Sequence, residues 1–191
     1  MITAIGFAVA AIAWATEHLR VARLRRRLRT DPLTGLGNRL ALQEAARHRL
    51  GRRVALIMLD LNEFKAINDT FGHRHGDEVL ITVAQRLRAL QRRDRLAVRL
   101  AGDEFALWVN HVHKDQAIED LRRQLAMVIA EPMTIDRHTI NVTASIGIAV
   151  GRPELGELLD LADRAMYRDK QRYANTRRVG SWVLRRREVA A

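Results

Sequence analysis

Apolar positions along this chain fall into one long block, several short runs and several helical stripes. The block is Ile2 to Ala15, ITAIGFAVAAIAWA, with Thr3 its one polar member, and the arginine-dense stretch EHLRVARLRRRLR follows it. Residues 53–60, RVALIMLD, form a nearly continuous apolar run closed by an acid, which predicts a central strand. Residues 96–100 and 105–109 flank Ala101-Gly102-Asp103-Glu104 and predict a strand–turn–strand hairpin. A second strand pair is predicted over 132–137 and 139–150, and a last short strand over Val179–Leu184. Helices are predicted over 63–71, 77–91, 115–130 and Leu155–Arg172; in the second, Val79, Leu80, Val83, Leu87 and Leu90 share one face. The first helix should stop near Thr30-Asp31-Pro32, because proline restricts the residue before it. Residues 33–38 then read as a turn, with Asn38 an N-cap for a helix from about Arg39. Elements in this order predict an α/β sandwich: a mostly antiparallel central sheet flanked by helices and preceded by an N-terminal helix.

Four stretches follow from the pattern: an apolar segment over 1–16, an arginine-rich helical linker over 17–30, a folded body over 31–176 and a basic C-terminal strand or tail over 177–191. Residues 2–15 are short for a span, which needs roughly 20 residues. An interfacial anchor and a packing or dimerisation helix both fit them. An anchor followed by arginines places the body on the cytoplasmic face of a membrane. Val21, Leu24 and Leu28 make a narrow stripe on the linker, suited to a solvated connector or to a short coiled-coil lever between protomers.

The net charge of +11 changes less than it suggests. Residues 30–167 carry 19 Lys/Arg against 19 Asp/Glu, so the excess lies at the two ends. A duplex-binding domain carries its basic face on the folded body, and no specific nucleic acid is expected here. With no cysteine there are no disulfides, thiolate metal sites or cysteine nucleophiles. His73-x-His75 and His111-x-His113 lack further clustered ligands for zinc.

The candidate chemistry lies at two strand ends. Asp60 closes the strongest strand, where a carboxylate is costly unless hydrogen-bonded or metal-bound. Asp103 and Glu104 sit on the hairpin tip. If the two strands are neighbours, Asp60 and Asp103 can converge on one magnesium, which favours one or two carboxylates, waters and substrate phosphates. On spacing alone, an acidic tip that simply faces water is the commoner case.

Five ordered segments go further: RTDPLTGLGNRLAL, LDLNEFKAINDTFGHRHGDEVL, RLAGDEFAL, NVTASIGIAV and LADRAMYRDKQRYAN. Together, from about Thr30 to Asn175, they resemble the GGDEF-type diguanylate cyclase domain. The resemblance implies a nucleotidyl-cyclase-like (palm or ferredoxin-like) fold. It also implies condensation of two GTP into cyclic di-GMP, with release of two pyrophosphates, at a homodimer interface with Mg2+ or Mn2+. Asp60, Asp103 and the Leu61 carbonyl would ligate metal, with Glu104 assisting and either acid of the hairpin pair helping to deprotonate the attacking 3′-hydroxyl. Asn68 and Asp77 would read the guanine edge, and His73 would lie near the ribose. Phe64, Lys65, Gly102 and Lys170 would approach the phosphates and nucleotide.

The chain departs from the family pattern at four places. Ala101 replaces the first glycine of the hairpin signature; if that position needs positive φ, alanine strains it by about 1 kcal/mol. After Lys170, Tyr173 and Ala174 stand where the family has Gly-Arg, leaving Arg172 or Arg177 to substitute. Arg92 fits the product-inhibition motif, but Arg95 takes the place of its acid and Asp94 is one residue early, so feedback through that site should be weak or absent. Asn62 replaces a second aspartate. Ala101 and Ala174 keep open an alternative, a catalytically degenerate module that binds GTP or a protein partner.

Overall fold

The structure, a computed structural model, describes residues 14–21, 23–24, 27–47, 52–152 and 154–188, with side chains as far as Arg177. Residues 14–21, 23, 24, 27 and 28 are helical, and the chain turns at Arg29. Among the described residues no helix is long and apolar enough to cross a membrane. The apolar segment expected over 2–15 lies outside them, except for Trp14 and Ala15. Of the linker stripe, Leu24 and Leu28 are exposed.

Helix α1 (Arg39–Arg47) begins on Asn38, whose Oδ1 accepts from the amides of Leu40 at 3.0 Å and Ala41 at 3.2 Å. Then come β1 (Val54–Leu61), α2 (Phe64–Phe71), α3 (His73–Ala89), β2 (Arg95–Ala101), β3 (Glu104–Val109) and α4 (Asp115–Ala130). β4 (Met133–Ile135), β5 (His138–Ile140), β6 (Ala144–Gly151) and α5 (Leu155–Glu188) complete the described chain. Four strands form an antiparallel sheet in the order β2-β3-β1-β6, and β4-β5 is a separate ribbon.

β1 is buried along its whole length, as its unbroken apolar run requires. Its side chains alternate between two cores. Ala55, Ile57, Leu59 and Leu61 face the layer that holds α3 and α4. Val54, Leu56 and Met58 face Leu42 of α1 and Leu158, Ala162 and Met166 of α5. By the same period of two, Asp60 falls on the α5 side. Glu104 does likewise, since Ala106 and Trp108 of β3 belong to that core.

Three expectations are corrected. The strand expected over 139–150 is divided, because β5 pairs with β4 while β6 joins β1. Between them the Thr143 carbonyl accepts from the Asn62 amide at 2.8 Å. Helix α3 starts at His73 rather than 77, directly after Gly72, whose φ of +83° ends α2. Residues 179–184, expected as a strand, are helical in α5, which runs to Glu188; a short apolar run does not distinguish the two states by periodicity.

Candidate active site

The site is assembled at the end of the sheet where β1 stops and the β2–β3 hairpin turns. Strand register sets Asp60 opposite Glu104 on one side and Ser145 on the other. One residue on, the Leu61 amide donates to the Asp103 carbonyl at 3.4 Å. The buried end of the first core strand and the hairpin tip are therefore stitched together through the backbone.

Asp60 is only 7 % exposed. A carboxylate so enclosed needs a counter-charge, and Lys170 provides it, with Nζ 2.7 Å from Oδ1. Lys170 reaches this position because α5 lies very close to β6. A Cβ on Gly147 would overlap the Ala162 carbonyl and the Met166 amide, so glycine at that point sets the spacing between helix and sheet.

The hairpin turn is held from behind by Arg99. Its Nε donates to the Gly102 carbonyl at 2.8 Å and its Nη1 lies 3.1 Å from Asp31 Oδ1. Asp31 also accepts from the Thr34 amide at 2.8 Å and hydroxyl at 2.6 Å. Burial raises the Asp31 pKa, but the Thr34 and Arg99 hydrogen bonds outweigh it, and the carboxyl stays below its ordinary range. The turn is thus tied to the loop that follows the first helix.

The acids at the tip behave in the opposite way. Burial, and then the charge of Asp60, push the Asp103 carboxyl above its ordinary value. Burial raises Glu104 too, followed by the charges of Asp60, Asp103 and Asp163. Asp60 and the two acids of the tip thus form one cluster of negative charge. Among the described residues no three His, Asp or Glu side chains form a ready-made metal cage. A magnesium site asks its protein for one or two carboxylates and takes its other ligands from water and substrate, and Asp60 and Asp103, which interact electrostatically, are carboxylates of that kind. The donor set fits the ion that the sequence implies.

The remaining candidate residues lie on the next two helices. Asn62 and Glu63 link β1 to α2. Phe64 and Lys65 open α2, with Lys65 exposed and Phe64 half-buried. Asn68 lies over Gly76 of α3, where a Cβ would overlap its amide oxygen and crowd the Phe64 ring. Asp77, the next residue, is exposed, and His73 is exposed at the start of α3. The structure thus draws Asp60, Asp103, Glu104 and Lys170 into one electrostatic group, and Asn68 with Phe64 beside Gly76–Asp77 into another. His73 joins neither through a hydrogen bond or ion pair.

Ala101 resolves differently from the conditional expectation of strain. The positive φ of the turn, +49°, belongs to Gly102, while Ala101 ends β2 paired with Glu104. Asn62 has a structural occupation: its Nδ2 donates to Thr143 Oγ1 at 2.9 Å, and its Oδ1 accepts from Ser145 Oγ at 2.7 Å. Arg92 and Arg95 close a tight turn before β2, with the Arg95 amide donating to the Arg92 carbonyl at 3.1 Å.

Sequence reasoning missed Arg99, Gly147 and Asp169. Asp169 Oδ2 accepts from the Ile146 amide at 2.9 Å and ties α5 to β6. A charged residue inside the apolar strand RLAVRLA was the available signal for Arg99. Asp169 gave none.

This sheet between two helical layers is a nucleotidyl-cyclase-like sandwich. The profile described as "Diguanylate cyclase, GGDEF domain" matches residues 28–176, and the chain belongs to that family. Its relatives include the bifunctional diguanylate cyclase/cyclic di-GMP phosphodiesterase MucR of Pseudomonas aeruginosa, 41% identical over 157 residues, covering 76% of this chain and 22% of the relative. Among solved structures, the sensory box/GGDEF family protein of Caulobacter crescentus CB15 matches with a TM-score of 0.69 at 34% identity, covering 75% of this chain and 98% of that one. The diguanylate cyclase SiaD of Pseudomonas aeruginosa, solved with its activator SiaC, matches with a TM-score of 0.75 at 27% identity, covering 89% and 68%. The chain spans only 20–24% of the length of the first curated relatives.

Proposed function

We propose that this domain condenses two GTP molecules into cyclic di-GMP with Mg2+ or Mn2+, one GTP per protomer of a two-fold dimer. The observation that carries the reading is the meeting of the buried Asp60 with the half-buried Asp103–Glu104 tip: a cluster of acids that a divalent ion and a triphosphate would complete.

Asp60, Asp103 and the Leu61 carbonyl would hold the ion, which supplies neutralisation of phosphate charge and acidifies a nearby hydroxyl. The 3′-oxygen of one GTP bonds to the α-phosphorus of the other, and the bond from that phosphorus to the pyrophosphate oxygen breaks. The hydroxyl proton passes to the Asp103 or Glu104 carboxylate. The same step with the roles exchanged closes the ring. Asn68 and Asp77 hold guanine, since an amide and a carboxylate complement its acceptor and donor edges. Positioning and charge stabilisation supply most of the rate. The exposed Leu24 and Leu28 of the N-terminal helix suit pairing of two chains.

A second reading, a GTP-binding module without turnover, is favoured by Ala174, which leaves α5 without the family's arginine at that position. Incubation of the purified chain with GTP and magnesium, with products resolved by chromatography, separates the two. Cyclic di-GMP that disappears in Asp103→Ala, a loss of at least about a thousandfold, supports the enzyme. GTP binding with no product supports the module.

A further inference from the structure

The structure assigns a substitute for the missing arginine. We propose that Arg177 is a triphosphate-positioning residue that takes over, one helical turn along α5, the work that position 174 performs elsewhere in the family. The inference rests on the GTP reading above.

Positions 170, 174 and 177 are spaced i, i+4 and i+7, so they share one stripe of α5. Lys170 marks where that stripe points, since its ammonium sits on Asp60 at the end of β1. Arg177 marks its other end: the guanidinium is ion-paired with Glu63. Glu63 lies three residues beyond Asp60 and immediately before Phe64 and Lys65, and it holds a left-handed backbone with φ of +59°. The two cations of the stripe therefore pair with acids three residues apart, one at the end of β1 and one in the short loop that leads to α2.

The other candidate, Arg172, faces elsewhere. It lines a groove with Glu119, Arg122, Ile146 and Ile148, on the side of α5 turned toward β6 and α4. The choice left open by the sequence is settled by which face of the helix each arginine occupies.

The pairing of Arg177 with Glu63 is replaceable. Arg177 and Glu63 are both substantially solvent-accessible, and such pairs contribute little to stability. A guanidinium gains more from the bidentate oxygens of a phosphate than from one exposed carboxylate. Exchange of the Glu63 carboxylate for phosphate costs the fold little and places the Arg177 charge along a triphosphate.

The test is calorimetric binding by the full chain, with magnesium, of 3′-deoxy-GTP, which lacks the attacking hydroxyl, and of GMP. Arg177→Ala is expected to weaken 3′-deoxy-GTP about tenfold or more and to leave GMP unchanged, since only the β- and γ-phosphates lose a partner. Ala174→Arg in that background should restore most of the loss, because it returns a guanidinium to the same stripe. Glu63→Gln, which removes the ion pair but keeps the arginine, should bind 3′-deoxy-GTP at least as tightly as the parent. Unchanged 3′-deoxy-GTP affinity in Arg177→Ala, equal losses for both nucleotides, or a matching loss in Glu63→Gln would overturn the assignment while the GTP reading stands. A parent chain that binds neither nucleotide overturns both.

Discussion

The hairpin end of the sheet and helix α5 supply opposite charges to one site, and they hold those charges by different means. The acids are fixed by strand register: Asp60 faces Glu104 because β1 and β3 pair residue by residue, and the Asp103 carbonyl is tied to the Leu61 amide. The cations are fixed by a helix that rests on the sheet at one glycine and reaches across with long side chains. The β2–β3 register shifts between Arg99 and Ala101, and Ala101 sits at the end of β2 without a positive φ. A helix face offers the same direction again one turn later, so a cation lost at 174 can be replaced at 177.

The sharpest way to break this contrast is at the contact between the two parts. Gly147→Ala puts a methyl group into the backbone of α5 at Ala162 and Met166, and backbone cannot swing aside as a flexible side chain does. Overpacking of this kind costs about 3 kcal/mol. Thermal unfolding should show a drop of roughly 10 °C, together with loss of turnover as Lys170 is carried away from Asp60. An unchanged melting temperature would mean that α5 is not held at this distance.

A smaller effect concerns the acids alone. The Asp103 carboxyl is raised in the fold, by burial first and by Asp60 second. Its ionisation therefore opposes folding, and the penalty is absent below the ordinary aspartate pKa. The penalty grows as pH rises from there through the raised value. Asp103→Asn should stabilise the metal-free chain at pH 7 and not at pH 3. The gain should be no more than about 0.5 kcal/mol, because the group is only partly desolvated. Denaturant unfolding at the two pH values checks this, and equal stabilities at both would remove the proposed repulsion.

The smallest effect sharpens the role of register. Since Gly102 and not Ala101 carries the positive φ, Ala101→Gly relieves no strain and adds backbone freedom to a strand end. It should lower stability by about 0.5 kcal/mol and change turnover no more than a few-fold. A stabilising result would restore the strained-turn explanation.

These particulars show what the chain discloses before it is folded. β1 was legible because an unbroken apolar run has few alternatives, and Asp60 stood out as the acid that ends it. The β2–β3 hairpin was legible from two apolar segments around a glycine-containing turn. The division of 139–150 was not, because both halves are β-favouring and their separation depends on which partner each meets. Residues 179–184 misled because a short apolar run suits either state. Gly147 and Asp169 escaped notice for one reason: each acts in the contact between β6 and α5, and no local pattern announces a contact between two elements. Arg177 was one of two arginines in view, and only the helix face separates them.

The most direct measurement is manganese binding, followed by calorimetry and by the electron paramagnetic resonance of the bound ion, in the parent chain, Asp60→Asn, Asp103→Asn and the double variant, each with 3′-deoxy-GTP present. A shared cation predicts that either single change removes most of the affinity and that the double change adds little further, a strongly non-additive cycle. Independent, additive losses, or unaltered binding in both single variants, would contradict a common ion between the end of β1 and the hairpin.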